Sequence, residues 1–128
     1  MTAVYSYEYS SQYQPPIPMV DLAIGVPLSE TIIELQAIVD SGADATMVPV
    51  QYLQEVGAQP SRKAIMRGVS GKGTLVDLYA VGVRLGPYRQ GYIEVVGVVD
   101  GEETIIGRDI INHLSVTLNG PAMVIELH

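Results

Sequence analysis

The stretch Ile105-Ile106-Gly107-Arg108-Asp109-Ile110-Ile111-Asn112-His113-Leu114-Ser115-Val116-Thr117-Leu118-Asn119 sets the reading of this chain. An apolar pair runs into a glycine turn. Asp109 is placed to cap a short helix through Leu114, and strand character resumes at Ser115. An echo lies some 65 residues earlier, where Ile38-Val39 runs into Asp40-Ser41-Gly42-Ala43-Asp44. One or two helical turns follow there, from Pro49 at the first helical position to Val56, with Gly57 as the stop. Both halves bring an apolar strand to a sharp glycine-containing turn and then to a helix. Two similar halves facing each other put those turns side by side.

The segments around these turns are short and strand-like. Met19–Ile24 and Thr31–Val39 flank a Gly/Pro-containing connection and read as a hairpin. Ala64–Met66 and Thr74–Leu85 flank the glycine-rich segment Gly68-Val69-Ser70-Gly71-Lys72-Gly73, a second hairpin whose tip is free to move. Gly86-Pro87 and Asp100-Gly101 turn the chain on either side of the strand Gly91–Val99. Ser115–Leu118 and Ala122–Leu127, joined by Asn119-Gly120-Pro121, form a closing hairpin. Residues 1–18 differ from the rest. Tyr5, Tyr7 and Tyr9 alternate with polar residues at the period of a strand edge, and Gln14-Pro15-Pro16-Ile17-Pro18 is a stiff extended arm unsuited to a sheet interior. Two readings of that arm stand: a partly ordered leader, or a segment that packs across a partner subunit.

Composition agrees with an all-β domain and removes several chemistries. At 128 residues the chain is one domain's length, enough to bury about two-thirds of its unfolded surface. Apolar residues make up 48% and charged residues 16%, far from a disordered acidic tail. Cysteine is absent, which excludes disulfide scaffolds, thiol catalysis and thiolate metal sites. A net charge of −7 with only seven Lys and Arg repels nucleic acid and anionic membranes alike. No apolar run approaches the ~20 residues of a membrane helix, and the N-terminus has no signal-peptide pattern. The expectation is a cytoplasmic protein with neither nucleic-acid nor membrane partners.

Asp40 is the chemically loaded residue, a carboxylate leaving the core at the end of an apolar strand. Asp, Ser and Gly are also common turn formers, so the tripeptide by itself is weak. Gly71-Lys72-Gly73-Thr74 has the look of a phosphate loop but lacks the upstream glycine and the following helix. Lys72 reads as a solvated charge. Asp40, Asp44 and Asp109 lack the alternating ligand pattern of a calcium loop, and His113 and His128 have no Ser or Cys partner for a triad. No metal and no cofactor are implied.

Taken in order, the Asp40 turn, the glycine-tipped hairpin, the Ile105-Ile106-Gly107 turn and its helix resemble the retropepsin-like aspartic proteases across most of residues 19–128. The resemblance implies a closed-barrel fold with one or two short helices, a flap hairpin and a C-terminal interface hairpin. It implies an aspartic endopeptidase in which two Asp40 carboxyls, one from each copy of a homodimer, activate a water against an extended peptide or protein substrate. The chain has one Asp-Ser-Gly and carries Gly107 at the matching turn, so a single copy holds half a site. By the same likeness Ser41 braces the loops across the two-fold where threonine is commoner. Gly42 admits the substrate backbone, Asp44 binds substrate main chain and pairs with Arg108, and Gly107 is a packing residue. Ala43, Ala45, Met47 and Ile105 line side-chain pockets, and Gly68, Val69, Ser70 and Gly71 form the flap tip.

Two departures from the retroviral pattern matter. Glu102 and Glu103 stand where apolar residues are usual; a solvated turn is the favoured reading, a preference for basic substrate side chains the sharper one. The extra strand after Asn119 points to the cellular and bacterial branch of the family. The expected organisation is a Tyr/Pro-rich arm at 1–18 and the protease domain at 19–128. The rival readings are a non-catalytic dimeric peptide-binding or dimerisation module of the same fold, and a monomeric small-ligand barrel.

Overall fold

The computed structural model describes residues 4–28, 32–67 and 71–128. Three of the flap-tip candidates, Gly68, Val69 and Ser70, lie outside the described residues, as does Thr31 at the expected start of a strand. The described residues form ten strands: β1 (Tyr5–Glu8), β2 (Met19–Gly25), β3 (Ile32–Val39), β4 (Met47–Pro49), β5 (Pro60–Arg67), β6 (Gly73–Leu85), β7 (Tyr88–Val98), β8 (Thr104–Ile106), β9 (Val116–Asn119) and β10 (Val124–Leu127). Two short helices accompany them, α1 (Val50–Glu55) and α2 (Arg108–Ile111).

Strand order runs β2-β3-β8-β4-β7-β6-β5, and β2 also pairs with β6. That last pairing closes β2, β3, β8, β4, β7 and β6 into a six-stranded barrel, with β5 as a flange on β6. The sequence dictates the interior through its period of two. Val20, Leu22 and Ile24 on β2 and Tyr79, Val81, Val83 and Leu85 on β6 all point inward and are buried, as alternation across a pleated strand requires. Leu53 of α1 and Ile110 of α2 have no exposed surface and join the same core. Ile125 and Leu127 of β10 complete it.

A second sheet, ordered β1-β10-β9, carries the chain ends. Of the alternating tyrosines, Tyr5 and Tyr7 form a strand edge, with Tyr5–Glu8 antiparallel to Val124–Leu127 of the same chain, while Tyr9 lies just beyond the strand. Beyond β1 the arm is held by a bridge between Ser10 and Ile17 and by Tyr13, whose hydroxyl donates to Glu103 Oε2 at 2.6 Å. That bond, with some loss of hydration, raises the Tyr13 phenol above its ordinary pKa. Glu103 therefore faces the arm.

Both helices begin differently from their sequence reading. Pro49 ends β4 with extended backbone (φ −55°, ψ 134°), and the helix starts at Val50; a proline has no N–H to give the ladder and terminates the strand instead. Gly57, at φ +80°, stops α1 as expected, because a side chain is strained there. At α2 the N-cap position belongs to Gly107, with no side-chain cap. Asp109 lies inside the first turn, and its carboxylate is committed elsewhere. His113 is exposed on the segment after α2 and stacks on Tyr88 with ring centroids 5.1 Å apart. No helix among the described residues is long and apolar enough to cross a membrane.

Candidate active site

The two glycine turns meet because their strands are neighbours. β3 and β8 run parallel, with Ile38 opposite Ile105 and Val39 opposite Ile106. Asp40 N–H then donates to the Ile106 carbonyl at 3.0 Å, which seats the Asp40 turn directly beside Gly107. The internal echo in the sequence is thus a spatial one.

Within the turn the backbone folds around the carboxylate. Gly42 N–H donates to Asp40 Oδ1 at 2.9 Å, and Ala43 N–H donates to the Asp40 carbonyl at 3.1 Å. A side chain at Gly42 would stand 3.1 Å from Asp40 Oδ1, so glycine leaves that approach clear. Asp40, Ser41 and Gly42 are all exposed in the single chain. A carboxylate so placed remains hydrated until something covers it.

The second turn braces the first at three consecutive residues. Gly107 packs where a Cβ would sit 2.6 Å from the Ala45 carbonyl carbon and 2.9 Å from the Ala43 oxygen. Those are backbone atoms, so no side chain fits. Arg108 N–H donates to the Ala43 carbonyl at 2.9 Å, and its guanidinium donates through Nη1 to the Ser41 carbonyl at 2.7 Å and through Nη2 to Asp44 Oδ1. A planar fork with several fixed donors suits that double task. Asp109 accepts from Thr46 N–H at 2.9 Å and from the Thr46 hydroxyl at 2.7 Å. Thr46 Oγ1 in turn accepts from Gly107 N–H at 3.2 Å.

Thr46 and Asp109 are the residues the sequence reading missed. Thr46 is fully buried, and the signal for it was a lone hydroxyl residue between Ala45 and the apolar run Met47–Val50. Asp109 has the position of a helix cap in the sequence; its carboxylate instead accepts from Thr46 at the entry to β4.

A cleft of about 580 Å³ opens beside Asp44 and Ala45, beneath the β5–β6 hairpin. Asp40, Ser41 and Gly42, earlier in the loop, lie outside its lining. Asp44 and Ala45 form part of its wall, and Arg62, Ala64, Met66, Val76 and Leu78 line it from the hairpin. Arg62 and Ala64 stand opposite Leu78 and Val76 in register, so these five side chains share one face of the hairpin. From β7, Glu94 accepts from Arg62 Nε at 3.0 Å and from Ser61 Oγ at 2.7 Å. Those bonds, Arg62's first, hold its carboxyl below the usual carboxylate range. Met47 and Ile105 pair with each other across β4 and β8 and, like Ala43, lie outside this lining, as do Glu102 and Glu103. Gly71 is exposed at the end of the hairpin, with φ +79°.

Residues 14–119 match the family described as retroviral aspartyl protease. The chain belongs to that family. Among solved structures, a retropepsin-like aspartic protease from Rickettsia conorii superposes with a TM-score of 0.63 at 12% identity, covering 99% of this chain and 93% of that one. The foamy viral protease-reverse transcriptase dRH, solved in complex with double-stranded DNA, gives 0.53 at 20% identity, over 80% of this chain and 16% of that one. At such identities the likeness is one of fold, and the fold is retropepsin-like. No curated protein matches the sequence. In this family member the Asp-Ser-Gly turn, Asp40–Gly42, stands beside the Gly107 turn.

Proposed function

We propose that the protein is a cytoplasmic aspartic endopeptidase that works as a homodimer. The observation that carries the reading is the Asp40 turn itself. An exposed carboxylate sits at a strand end, its loop is braced by Gly107, Arg108 and Asp109, and its neighbouring turn offers glycine where a second acid would be needed. Proteins of this family generally act as dimers on peptides. A two-fold axis beside Asp40 supplies the missing carboxylate from the second copy.

In that arrangement the two carboxyls share one proton, since like charges about 3 Å apart resist joint ionisation. The ionised member takes a proton from a water as its oxygen attacks the peptide carbonyl; the protonated member gives its proton to the carbonyl oxygen. Collapse of the tetrahedral intermediate breaks the C–N bond, and the amine leaves with a proton from the dyad. Asp44 and Ala45 guide substrate main chain and side chain into the cleft, Ser41 steadies the two turns across the axis, and the β5–β6 hairpin acts as the flap that excludes water. The open edge of the terminal sheet supports dimerisation. β9 lies at that edge without a charged residue, and Leu118 on it is 59% exposed, a surface that proteins normally cover.

The test is digestion of a diverse peptide mixture from acid to neutral pH, with Asp40→Asn run beside the parent. Cleavage by the parent and loss of at least ~10³-fold in the variant is the expected result. Equal cleavage by both overturns the proposal, and binding of peptides without cleavage by either moves the assignment to the peptide-binding module.

A further inference from the structure

We infer that Asp109 is a positioning residue for the Asp40 turn, acting through Thr46. The inference rests on the reading of Asp40 as the water-activating carboxylate and adds a residue to that site.

The loop from Asp40 to Thr46 must place one carboxylate within a fraction of an ångström, yet its first residues are exposed. Its near end is fixed by the Asp40 N–H to Ile106 bond and its middle by Arg108. Its far end is fixed by Thr46, which has no exposed surface and whose two donors both go to Asp109, one to each carboxylate oxygen. The Thr46 oxygen then accepts from Gly107 N–H. Asp109, Thr46 and Gly107 therefore form a closed relay between the two turns. Its observed polarity is simple: Thr46 donates twice, and the residue facing it accepts both bonds. An ionised carboxylate does so. An asparagine has a single accepting oxygen, so it can take the Thr46 N–H but reaches the hydroxyl only if the hydroxyl gives up its donated bond and turns to accept from the NH2. The Thr46 carbonyl separately accepts from Val96 N–H at 2.9 Å, so β4 keeps its place in the barrel without Asp109. The relay's distinctive work is on the loop side.

A displaced reacting group loses up to ~10²-fold in rate even when the displacement begins far from the chemistry. The informative set is Asp109→Asn, Thr46→Val and Thr46→Ser, each compared with the parent for kcat, KM and amide hydrogen exchange by mass spectrometry. Asp109→Asn and Thr46→Val are expected to lower kcat by roughly 10- to 100-fold with KM within about threefold. Thr46→Ser, which keeps the hydroxyl, is expected to retain most of the parent's kcat. In Asp109→Asn the amides of residues 41–46 should exchange faster, with β9 and β10 unchanged. A folded Asp109→Asn with the parent's kcat and the parent's exchange at 41–46 overturns the inference. So does a rise in KM alone, which assigns the residue to substrate binding. If the parent shows no Asp40-dependent cleavage, the protease reading fails separately, and exchange at 41–46 decides whether Asp109 sets the turn.

Discussion

At the scale of single residues, Gly107 and Arg108 separate packing from positioning. A methyl group at Gly107 meets the Ala43–Ala45 backbone below 3 Å, and backbone has no rotamer to yield. Gly107→Ala is expected to lower stability by about 1–3 kcal/mol, the usual range for overpacking, read as a shifted denaturant midpoint; an unchanged midpoint contradicts that packing. Arg108 is a different case. Its pair with Asp44 is exposed, and exposed pairs contribute ~0–1 kcal/mol. Arg108→Lys should therefore leave the midpoint within about 1 kcal/mol while kcat/KM falls about tenfold or more, because an ammonium cannot hold Ser41 and Asp44 with one rigid fork. Equal activity in Arg108→Lys contradicts the bracing role. The family resemblance already marked Asp40, Gly107, Arg108 and Asp44, since each sits in one of the two motifs that carry it. Thr46 and Asp109 escaped because their bond joins residues 63 apart in the chain and neither type is unusual where it stands.

At the scale of elements, strands were more legible than helix ends. Alternation along β2 and β6 follows from burial and is visible in the letters, as is the tyrosine alternation that becomes β1. Helix starts depend on where a preceding strand stops pairing, which is why Pro49 closes β4 and the helix begins one residue later. The β5–β6 hairpin carries a pH dependence of its own. Glu94 ties β5 to β7 through Arg62 and Ser61, and its carboxyl titrates below the ordinary carboxylate value. A lowered folded-state pKa means that this stabilisation is present above the unfolded value, near 4.3, and disappears as pH falls through the folded one. The stability gap between the parent and Glu94→Gln should be open at neutral pH and should close in acid, as measured by unfolding at several pH values. A gap of constant size contradicts the ionic tie.

At the scale of the whole molecule, the fold was legible through the resemblance, because the Asp40 turn, the glycine-tipped hairpin and the Ile105-Ile106-Gly107 turn stand in the order that the family shows. The second carboxylate was legible only as something missing. Gly107 occupies the place beside Asp40, so the account stands or falls on chemistry shared between two chains. Subunit mixing tests that directly. Parent and Asp40→Asn chains are combined at fixed total concentration, allowed to exchange, and assayed for peptide cleavage. If each working site needs an Asp40 from both copies, activity follows the square of the parent's share of the chains. Activity that follows the parent's share in direct proportion would mean that one chain suffices, and would contradict the account.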